Sequence, residues 1–559
     1  MLTPPDCDKR DRSARKGRAL RNLIVILAAL CTFVLVGSAL AGTWTSNVPF
    51  TNRVASSPTT GGGYPIPPGE TVPDAGTCGP GPFNANHSES WVAVNPNTED
   101  LVGSSKFFFD KFSTFYMFYL GSYRMPSGAP GDNKQIEGYD CVSTGTQEMP
   151  PSWTNVTDPN VDFDTAGRAY QTMLPFNAYW DGTKLHPDGA IDVVYSDDMG
   201  QHWTIGNGGR HLENSGNPSA KQFGHVQDKQ WVAVNHIPGN VNQDHVYAAW
   251  TVYNGQTAKI RFAVSRDRGQ TFSRAATITD PNQTGPLNEY VYPAVDAAGY
   301  VYASIVSSGT IYVARSIDDG ESFGPFIPVA PVGILSSCCL PNTTFTDGIA
   351  EHFVASQTYP GHLYLTYEDW DGRQMDVKFT YSTDYGFTWS APVRVNDNTD
   401  YLSNDQFQPS VAQGPSGAVA VAFYDRRAAC PSGRSIRPQD VGRTNFCIDT
   451  SLQAYKDDGS AIVPVLGNVK ISEFAWDPEQ PDQTIDGIDQ MACRGHSDPC
   501  TIAAFIGDYF GLAISAGNVY ALMVSTHYRS GVYGDGNRQI YYQQQVLAKV
   551  PRLGFGTGY

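Results

Sequence analysis

Short stretches in which every second residue is apolar recur along the chain from about residue 88 to residue 550. This period of two is the pattern of a half-buried β-strand, and clear examples cover residues 191–195, 260–264, 311–313 and 377–381. Glycine follows many of these stretches, as expected for tight turns between strands. No segment shows the periodicity of an amphipathic helix. The pattern therefore predicts an all-β protein.

The predicted strands form a larger repeated unit. Each unit starts with a strand, turns through glycine into a second strand, and continues with a third strand, a hairpin and a fourth strand. Seven units begin at Trp91–Asn95, Val161–Asp164, Trp231–Asn235, Pro293–Asp296, Phe353–Ser356, Pro409–Ala412 and Gly511–Ser515. Repeated four-stranded antiparallel units are typical of a β-propeller, in which each unit is one blade.

The last unit lacks a complete set of strands. Its third strand is predicted at Gln539–Gln543, and no fourth strand follows it. We expect the N-terminal segment to supply the missing outer strand and to close the ring.

Four of the third strands run into the same turn, with the pattern S-x-D-x-G-x-x-[WF]. In this turn the aspartate can accept backbone N–H bonds, the glycine supplies a positive φ, and the aromatic ring packs back into the sheet. We predict a structural role for these residues. The repeated positions are Ser196, Asp198, Gly200 and Trp203; Ser265, Asp267, Gly269 and Phe272; Ser316, Asp318, Gly320 and Phe323; Ser382, Asp384, Gly386 and Trp389.

This turn resembles the Asp box, or bacterial neuraminidase (BNR) repeat, of the sialidase superfamily. The segment Tyr455–Gly459 resembles a fifth, degraded copy. The resemblance implies an exported bacterial-type propeller with the boxes between third and fourth strands. It also implies six blades, the number in the family's enzymes, against the seven units counted here. The activity that it implies is that of an exo-sialidase-like glycoside hydrolase.

The N-terminal segment is predicted to lie outside the propeller. Residues 1–22 are basic, and residues 23–41 form an apolar stretch that ends in Ala39-Leu40-Ala41, a pattern compatible with signal-peptidase cleavage. This stretch predicts either a signal peptide or a transmembrane anchor, with the N-terminus inside and the body secreted or tethered outside. Residues 42–87 have a linker composition, residues 88–550 are the predicted propeller, and residues 551–559 are a tail.

Charge and cysteine content narrow the possible partners. The chain has a formal net charge of −17, which argues against nucleic acid as a partner. Eight of the ten cysteines follow the apolar stretch, as expected for disulfides in an oxidising compartment. The favoured pairs are Cys430–Cys447 and Cys493–Cys500. No cysteine or histidine spacing suggests zinc. We expect a glycan or glycoprotein partner and a monomeric body.

Candidate functional residues recur at one position of the repeat. In a propeller, the first strand of a blade begins where the second strand ends, at one face of the ring. An acidic or polar residue precedes most first strands, and the predicted catalytic residues come from this set: Asp228, Asp405 and Asp508. The other residues predicted to bind substrate come mainly from the same face: Glu289, Glu351, Tyr367, Glu368, Tyr424, Asp425, Arg426, Arg427 and Arg529. Arg124 is added because Tyr123–Pro126 resembles the family's F/Y-R-I-P motif, whose arginine binds the substrate carboxylate.

Three functions remain open on the sequence. Crowded carboxylates raise one another's pKa and suit glycoside hydrolysis, which needs one acid and one base or nucleophile. The same residues also suit a non-catalytic propeller that binds a glycan or a protein. Their oxygens could act as ligands of Ca²⁺, although no cofactor is required. Alternatively, each aspartate caps its own turn, and the domain is structural.

Overall fold

A computed structural model of the protein describes residues 44–56, 87–108, 118–136, 155–176, 189–215, 222–335, 339–341, 343, 345, 347–348, 351–398, 404–428, 447–476, 484–485, 488–489, 492–493, 504–528, 533–534, 538–539 and 543–559. The predicted signal peptide or anchor lies outside these ranges. Within them, no helix has both the length and the apolar character needed to cross a bilayer.

The described chain forms seven antiparallel sheets, which we number blade 1 to blade 7 in the order of their first strands. The first, or inner, strands of blades 1 to 7 are His87–Val94; Asn155–Thr157 with Asp162–Phe163; Val226–Val234; Glu289–Val295; Glu351–Ala355; Gln406–Gly414; and Gly511–Ile514. The second strands are Leu101–Phe108, Ala169–Phe176, Val246–Asn254, Val301–Ser307, Leu363–Trp370, Ala418–Asp425 and Asn518–Ser525. The third strands are Phe118–Met125, Ala190–Ser196, Thr257–Ser265, Thr310–Ser316, Met375–Ser382, Asp449–Asp457 and Gln544–Pro551. The outer strands are Asn133–Gln135; Thr204–Ile205 with Glu213–Asn214; Ala276–Thr277; Ile327–Pro331; Val393–Arg394; Ile462–Pro464 with Val469–Lys470; and Thr51–Val54.

Inner strands of successive blades contact one another, and the inner strand of blade 1 contacts that of blade 7, so the sheets form a ring around a central channel. The predicted all-β propeller and its seven blades are confirmed. Helix is confined to one α-helical turn, Pro281–Thr284, and to short 3₁₀ segments at Pro126–Gly128, Asn207–Gly209, Pro415–Gly417 and Arg552–Phe555 in the described chain. Three two-stranded hairpins complete the structure: Thr484–Ile485 with Ile488–Asp489, Ala492–Cys493 with Ala504–Phe505, and Tyr533–Gly534 with Arg538–Gln539.

The N-terminal segment closes the ring, as expected. Thr51–Val54 is the outer strand of blade 7 and pairs antiparallel with Gln544–Pro551, with Arg53 opposite Leu547. The prediction of a third strand at Gln539–Gln543 is wrong, because the third strand starts at Gln544, where alternate residues such as Val546, Ala548 and Val550 are buried between blades. The C-terminal residues pack on the propeller, and the Tyr559 hydroxyl donates to the Val419 carbonyl at 2.9 Å.

The four box turns have the predicted geometry. In each, the serine hydroxyl accepts the glycine N–H at 2.8–3.0 Å and donates to the aspartate Oδ1 at 2.7–2.9 Å. That aspartate also accepts the N–H of the residue four positions later, and the glycine φ is +80° to +82°. The aromatic residue fixes the neighbouring blade, as when the Trp203 indole donates to Ser122 of blade 1. All four turns follow third strands, so they lie at the face where inner strands end, which we call the box face.

Cysteine pairing is described only in part. Cys339 and Cys447 are each disulfide-bonded. The side chains of Cys430, Cys493 and Cys500 lie outside the described residues, so the two favoured pairs remain predictions.

Candidate functional site

The inner strands share an unusual backbone feature near their starting ends, at the face opposite the boxes, which we call the mouth. Five non-glycine residues there have a positive φ of 46° to 59°: Glu89, Asp158, Lys229, Tyr290 and Gln408. In four of these blades the pairing with the second strand shifts register at the same point, which marks a β-bulge. A left-handed conformation costs roughly 1–2 kcal/mol for an ordinary residue. Backbone strain of this kind clusters at functional sites, so the mouth is a candidate functional site.

An ion pair crosses the channel at the mouth. The Lys229 ammonium of blade 3 lies 2.6 Å from the Asp508 carboxylate, which precedes the inner strand of blade 7. Blades 3 and 7 are not neighbours in the ring, so this contact spans the channel. Burial lowers the pKa of Lys229, but nearby Asp508, Asp158 and Asp228 outweigh it and hold this pKa well above its usual value. Lys229 is therefore a fixed positive charge among carboxylates.

A second lysine and carboxylate lie beside this pair and are almost fully buried. The Lys106 ammonium is 2.6 Å from Glu89. Burial raises the pKa of Glu89 to about 7, against the lowering effect of Lys106. The Thr157 hydroxyl joins this group to Asp158, whose Oδ1 accepts it at 2.9 Å. We call Glu89, Lys106, Asp158, Asp228, Lys229, Tyr290 and Asp508 the mouth cluster.

The structure brings two predicted catalytic residues, Asp228 and Asp508, into this cluster. Both are half-buried, whereas Glu89 is only 1% exposed. Burial raises the pKa of Asp228 to about 7, with Lys229 opposing the shift and Asp158 adding to it. Asp228 is consequently protonated in part of the molecules near neutral pH, while Asp508 makes a short charge-assisted bond with the Lys229 ammonium.

Aromatic side chains form the floor of the site. Trp91, Trp231, Tyr292, His352 and Tyr509, which we call the aromatic plug, fill the channel with edge-to-face contacts, including 4.5 Å between the Trp91 and Trp231 ring centres. Burial lowers the pKa of His352 to about 3, so the plug carries no charge at neutral pH. The plug separates the mouth from a cavity of about 770 Å³ that opens at the box face.

A small cavity lies above the plug. Its lining combines aromatic rings with charged groups: Asp158, Lys229, Gln230, Trp231, Tyr290, Val291, Tyr292, Asp508 and Tyr509. The Oδ2 atom of Asp158 is buried here and has no hydrogen-bond partner among the residues that the structure describes. A buried polar atom in this state favours a ligand or water that supplies a donor.

The third predicted catalytic residue, Asp405, is not brought to this cavity. Its carboxylate is fully buried 2.8 Å from the Arg426 guanidinium and also accepts the Met375 N–H at 2.9 Å. Arg427 is equally buried and bonds to Asp425 at 2.7 Å and to Asp397 at 2.6 Å. These arginines satisfy carboxylates within and beside blade 6, so neither presents its guanidinium at the mouth.

The remaining predicted residues divide between the mouth and the protein interior. Glu289 is half-buried, and both Glu289 and Asp228 lie close to Tyr253. Burial raises the pKa of Glu289. The other side chains that the structure describes are buried in local contacts: Glu351 with Ser304, Glu368 with the Gln408 N–H, Tyr367 in the blade core, and Tyr424 with the Val524 N–H.

Arg124 lies at the opposite end of blade 1 from the mouth. It is near the end of the third strand and pairs with Asp132 at 3.4 Å. The structure therefore does not support a place for it in the mouth, because the partial F/Y-R-I-P match falls where a third strand approaches the box face. Arg529 lies outside the described residues.

Sequence reasoning missed four of the positive-φ residues: Glu89, Lys229, Tyr290 and Gln408. The bulge inserts residues before the regular strand, so counting back from the apolar pattern selects the residue just before Glu89, Lys229 or Tyr290. One signal was present, because Glu89 and Lys229 each stand two residues before the tryptophan of an identical Trp-Val-Ala-Val-Asn strand.

Calcium remains untested. Among the described residues, no set of three or more histidine, cysteine, aspartate or glutamate side chains is arranged to hold a metal ion.

Solved structures resemble this fold at low sequence identity. A protein of unknown function from Dyadobacter fermentans DSM 18053 is 13% identical, with a TM-score of 0.42 over 66% of this chain and 94% of that chain. The Hadza microbial sialidase Hz136 is 12% identical, with a TM-score of 0.40 over 69% of this chain and 66% of that one. The intramolecular trans-sialidase from Ruminococcus gnavus, solved with oseltamivir carboxylate, is 10% identical, with a TM-score of 0.39 over 67% and 95%. No family model and no curated protein sequence matches the chain.

Proposed function

We propose that the protein is a glycoside hydrolase that acts on glycans at the mouth of the channel. The observation that carries this proposal is the pair of half-buried carboxyl groups, Asp228 and Asp508, near one lysine: burial raises the pKa of Asp228 to about 7, and Asp508 pairs with the Lys229 ammonium at 2.6 Å. Glycoside hydrolysis needs one carboxylic acid to protonate the leaving oxygen and one carboxylate to act as base or nucleophile. Environments that separate the charge states of two carboxyl groups assign these roles.

Asp228 is the acid in this proposal, and Asp508 is the base or nucleophile. A pKa of about 7 keeps Asp228 partly protonated at neutral pH, where a general acid is most effective. The Lys229 ammonium lies 2.6 Å from the Asp508 carboxylate and fixes its position across the channel. Tyr290, Tyr292 and Trp231 offer ring faces on which the apolar face of a sugar can pack.

A non-catalytic glycan-binding propeller is the second candidate. It uses the same aromatic and charged lining of the cavity and does not require two carboxyl groups to act as acid and base. Such a protein would bind the same sugar with the same residues but would release it unchanged.

The test is a screen of the purified body, from residue 44 onward, against fluorogenic glycosides, followed by Asp228→Asn and Asp508→Asn variants. We expect each variant to reduce kcat/KM by at least about 100-fold, the usual contribution of positioned acid or base. Glu321→Gln, an exposed carboxylate at the box face, is the matched control and should retain full activity. Binding of a sugar without turnover by any protein in the set would favour the second candidate.

We also propose an extracytoplasmic location, with the N-terminal apolar segment as the export signal or anchor. The disulfide-bonded state of Cys339 and Cys447 supports it, since such bonds persist mainly in oxidising compartments. Protease treatment of intact cells should degrade a tethered body, and N-terminal sequencing of secreted protein should begin after Ala41 if the signal is cleaved.

A further inference from the structure

We propose that the mouth selects a sugar that carries a protonated amine, such as a 2-amino sugar with a free amino group. This inference rests on the proposed function, because it names the substrate class of the same site. Its evidence is the balance of charge, one unpaired oxygen and the chemistry of the walls.

The mouth cluster contains four carboxyl groups and two lysines. Its two cations are already engaged, Lys106 by Glu89 and Lys229 by Asp508, each at 2.6 Å. Among the described residues, the Asp158 carboxylate remains without a cation of its own, and Asp228 adds negative charge in the molecules in which it is deprotonated. A ligand that adds positive charge therefore gains more from this site than a neutral ligand does.

One oxygen of the cluster requires a donor. Asp158 is 4% exposed and lines the cavity with Lys229 and Asp508, and in the described part of the chain its Oδ2 has no hydrogen-bond partner. Leaving a buried acceptor unsatisfied costs about 1–3 kcal/mol, more for a charged group. An ammonium group supplies three donors and the missing charge, whereas a hydroxyl group supplies one donor and no charge.

The walls suit a cation as well. The rings of Trp231, Tyr290 and Tyr292 line the cavity, and aromatic faces attract cations. The site already contains one example, because the Lys229 ammonium lies 5.6 Å from the centre of the Tyr290 ring.

The described mouth lacks what an acidic sugar needs. Binding a sugar carboxylate calls for free guanidinium groups, and Arg426 and Arg427 are both buried against aspartates. An anionic sugar would meet a negative cluster with no available counter-charge among the described arginines.

The test is isothermal titration calorimetry with glucosamine, glucose, N-acetylglucosamine and N-acetylneuraminic acid at pH 6.5. We expect glucosamine to bind at least 10-fold more tightly than glucose or N-acetylglucosamine, and N-acetylneuraminic acid to bind most weakly. Ethanolamine, which carries the ammonium without the ring, should bind at least 10-fold more weakly than glucosamine. Equal affinity for glucosamine and glucose, or for glucosamine and ethanolamine, would overturn the inference.

The Asp158→Asn variant identifies the group responsible. It should remove the preference, so that the ratio of the glucosamine and glucose affinities approaches one, whereas Glu321→Gln should retain the preference. Should Asp158→Asn fail to fold, the wild-type protein still provides the test: glucosamine affinity must fall at high salt and above the pKa of its amine, while glucose affinity does not. A preference that is independent of both conditions contradicts the inference.

Turnover measurements separate this inference from the proposed function. The protein could bind glucosamine in preference to glucose and yet hydrolyse neither 4-methylumbelliferyl glucosaminide nor the matched glucoside. That result would overturn the proposed hydrolase function and support the inference. Hydrolysis of both glycosides with equal kcat/KM supports the hydrolase and overturns the inference.

Discussion

Single residues at the mouth and in blade 6 show how burial decides what a carboxylate can do. Asp228 and Asp508 are half-buried around Lys229, which leaves room for a ligand to reach them. Asp405 has the same position in the sequence pattern, but its side chain is fully buried against Arg426. The two environments predict opposite consequences of removing the charge.

Asp405→Asn is therefore expected to reduce stability and to leave the activity of the folded protein unchanged. Removing one partner of a buried ion pair typically costs about 3–5 kcal/mol, because the other charge is left unpaired. The free energy of unfolding in denaturant and kcat/KM per folded molecule are the two measurements. Lost activity with unchanged stability would place Asp405 in the site.

The pH dependence of stability reports on the buried carboxyl groups of the mouth. The pKa of Glu89 is raised from 4.5 to about 7 and that of Asp228 from 3.8 to about 7, so the folded protein holds protons that the unfolded chain releases in this range. Stability must then fall as pH rises from about 4.5 to 7, by up to about 1.4 kcal/mol per pH unit for each group, and level off above pH 7.

Thermal melts between pH 4.5 and 8 test this expectation. Glu89→Gln should flatten the curve, because one of the two proton-binding groups is removed. A wild-type protein that becomes more stable from pH 5 to pH 7 would show that these carboxyl groups are charged in the folded state.

How far residue roles could be predicted from sequence depends on the distance that a contact spans. Asp228 and Asp508 were found because they stand at one repeated position. The partners of Arg426 and Arg427 include residues tens of positions away, and the strand pattern does not predict such pairs. Local sequence also does not show that Lys229 would meet Asp508 across the channel.

Among the elements, the box hairpins were predictable in full because their chemistry is local. The bonds of the turn join a serine, an aspartate and a glycine within five residues and the N–H of the residue four positions after the aspartate. The bulges of the inner strands were not predictable in the same way. They insert residues without a glycine at the positive-φ position. A bulky residue such as Tyr290 rarely adopts a positive φ, so its sequence does not predict this conformation.

Asp267→Ala should destabilise the protein without changing activity. Its carboxylate accepts the Thr271 N–H at 2.8 Å, the Thr271 hydroxyl at 2.6 Å and the Ser265 hydroxyl at 2.8 Å, far from the mouth. Each such bond contributes roughly 1 kcal/mol. Chemical denaturation measures the loss, and Glu321→Ala, whose exposed pair with Arg266 contributes little, is the control. A variant with full stability and no activity would mean that the box face carries the site.

At the scale of the whole molecule, the ring is closed by strands from the two ends of the chain. Thr51–Val54 pairs with Gln544–Pro551, and the Asn52 amide also donates to the Ile471 carbonyl of blade 6 at 2.9 Å. The missing fourth strand of the last unit made this closure predictable. The start of its third strand was misplaced because Ile540-Tyr541-Tyr542, which also has strand-forming residues, stands just before Gln543-Gln544-Gln545.

A chain that begins at residue 57 should consequently be less stable than one that begins at residue 44, by at least about 3 kcal/mol for the lost strand pairing. Denaturant unfolding of the two truncated proteins is the measurement. Equal stability would show that blade 7 is complete without the N-terminal strand.

The central claim is that Asp228 protonates a leaving group at the mouth. The most direct test is how the loss of kcat/KM in Asp228→Asn depends on the leaving group of the substrate. Two glycosides of the same sugar are compared, one with a poor alcohol leaving group and one with an activated dinitrophenolate. The account predicts that Asp228→Asn lowers kcat/KM by about 100- to 10,000-fold on the first and by little on the second, which needs no proton. An equal loss on both substrates, or no loss on either, would contradict it.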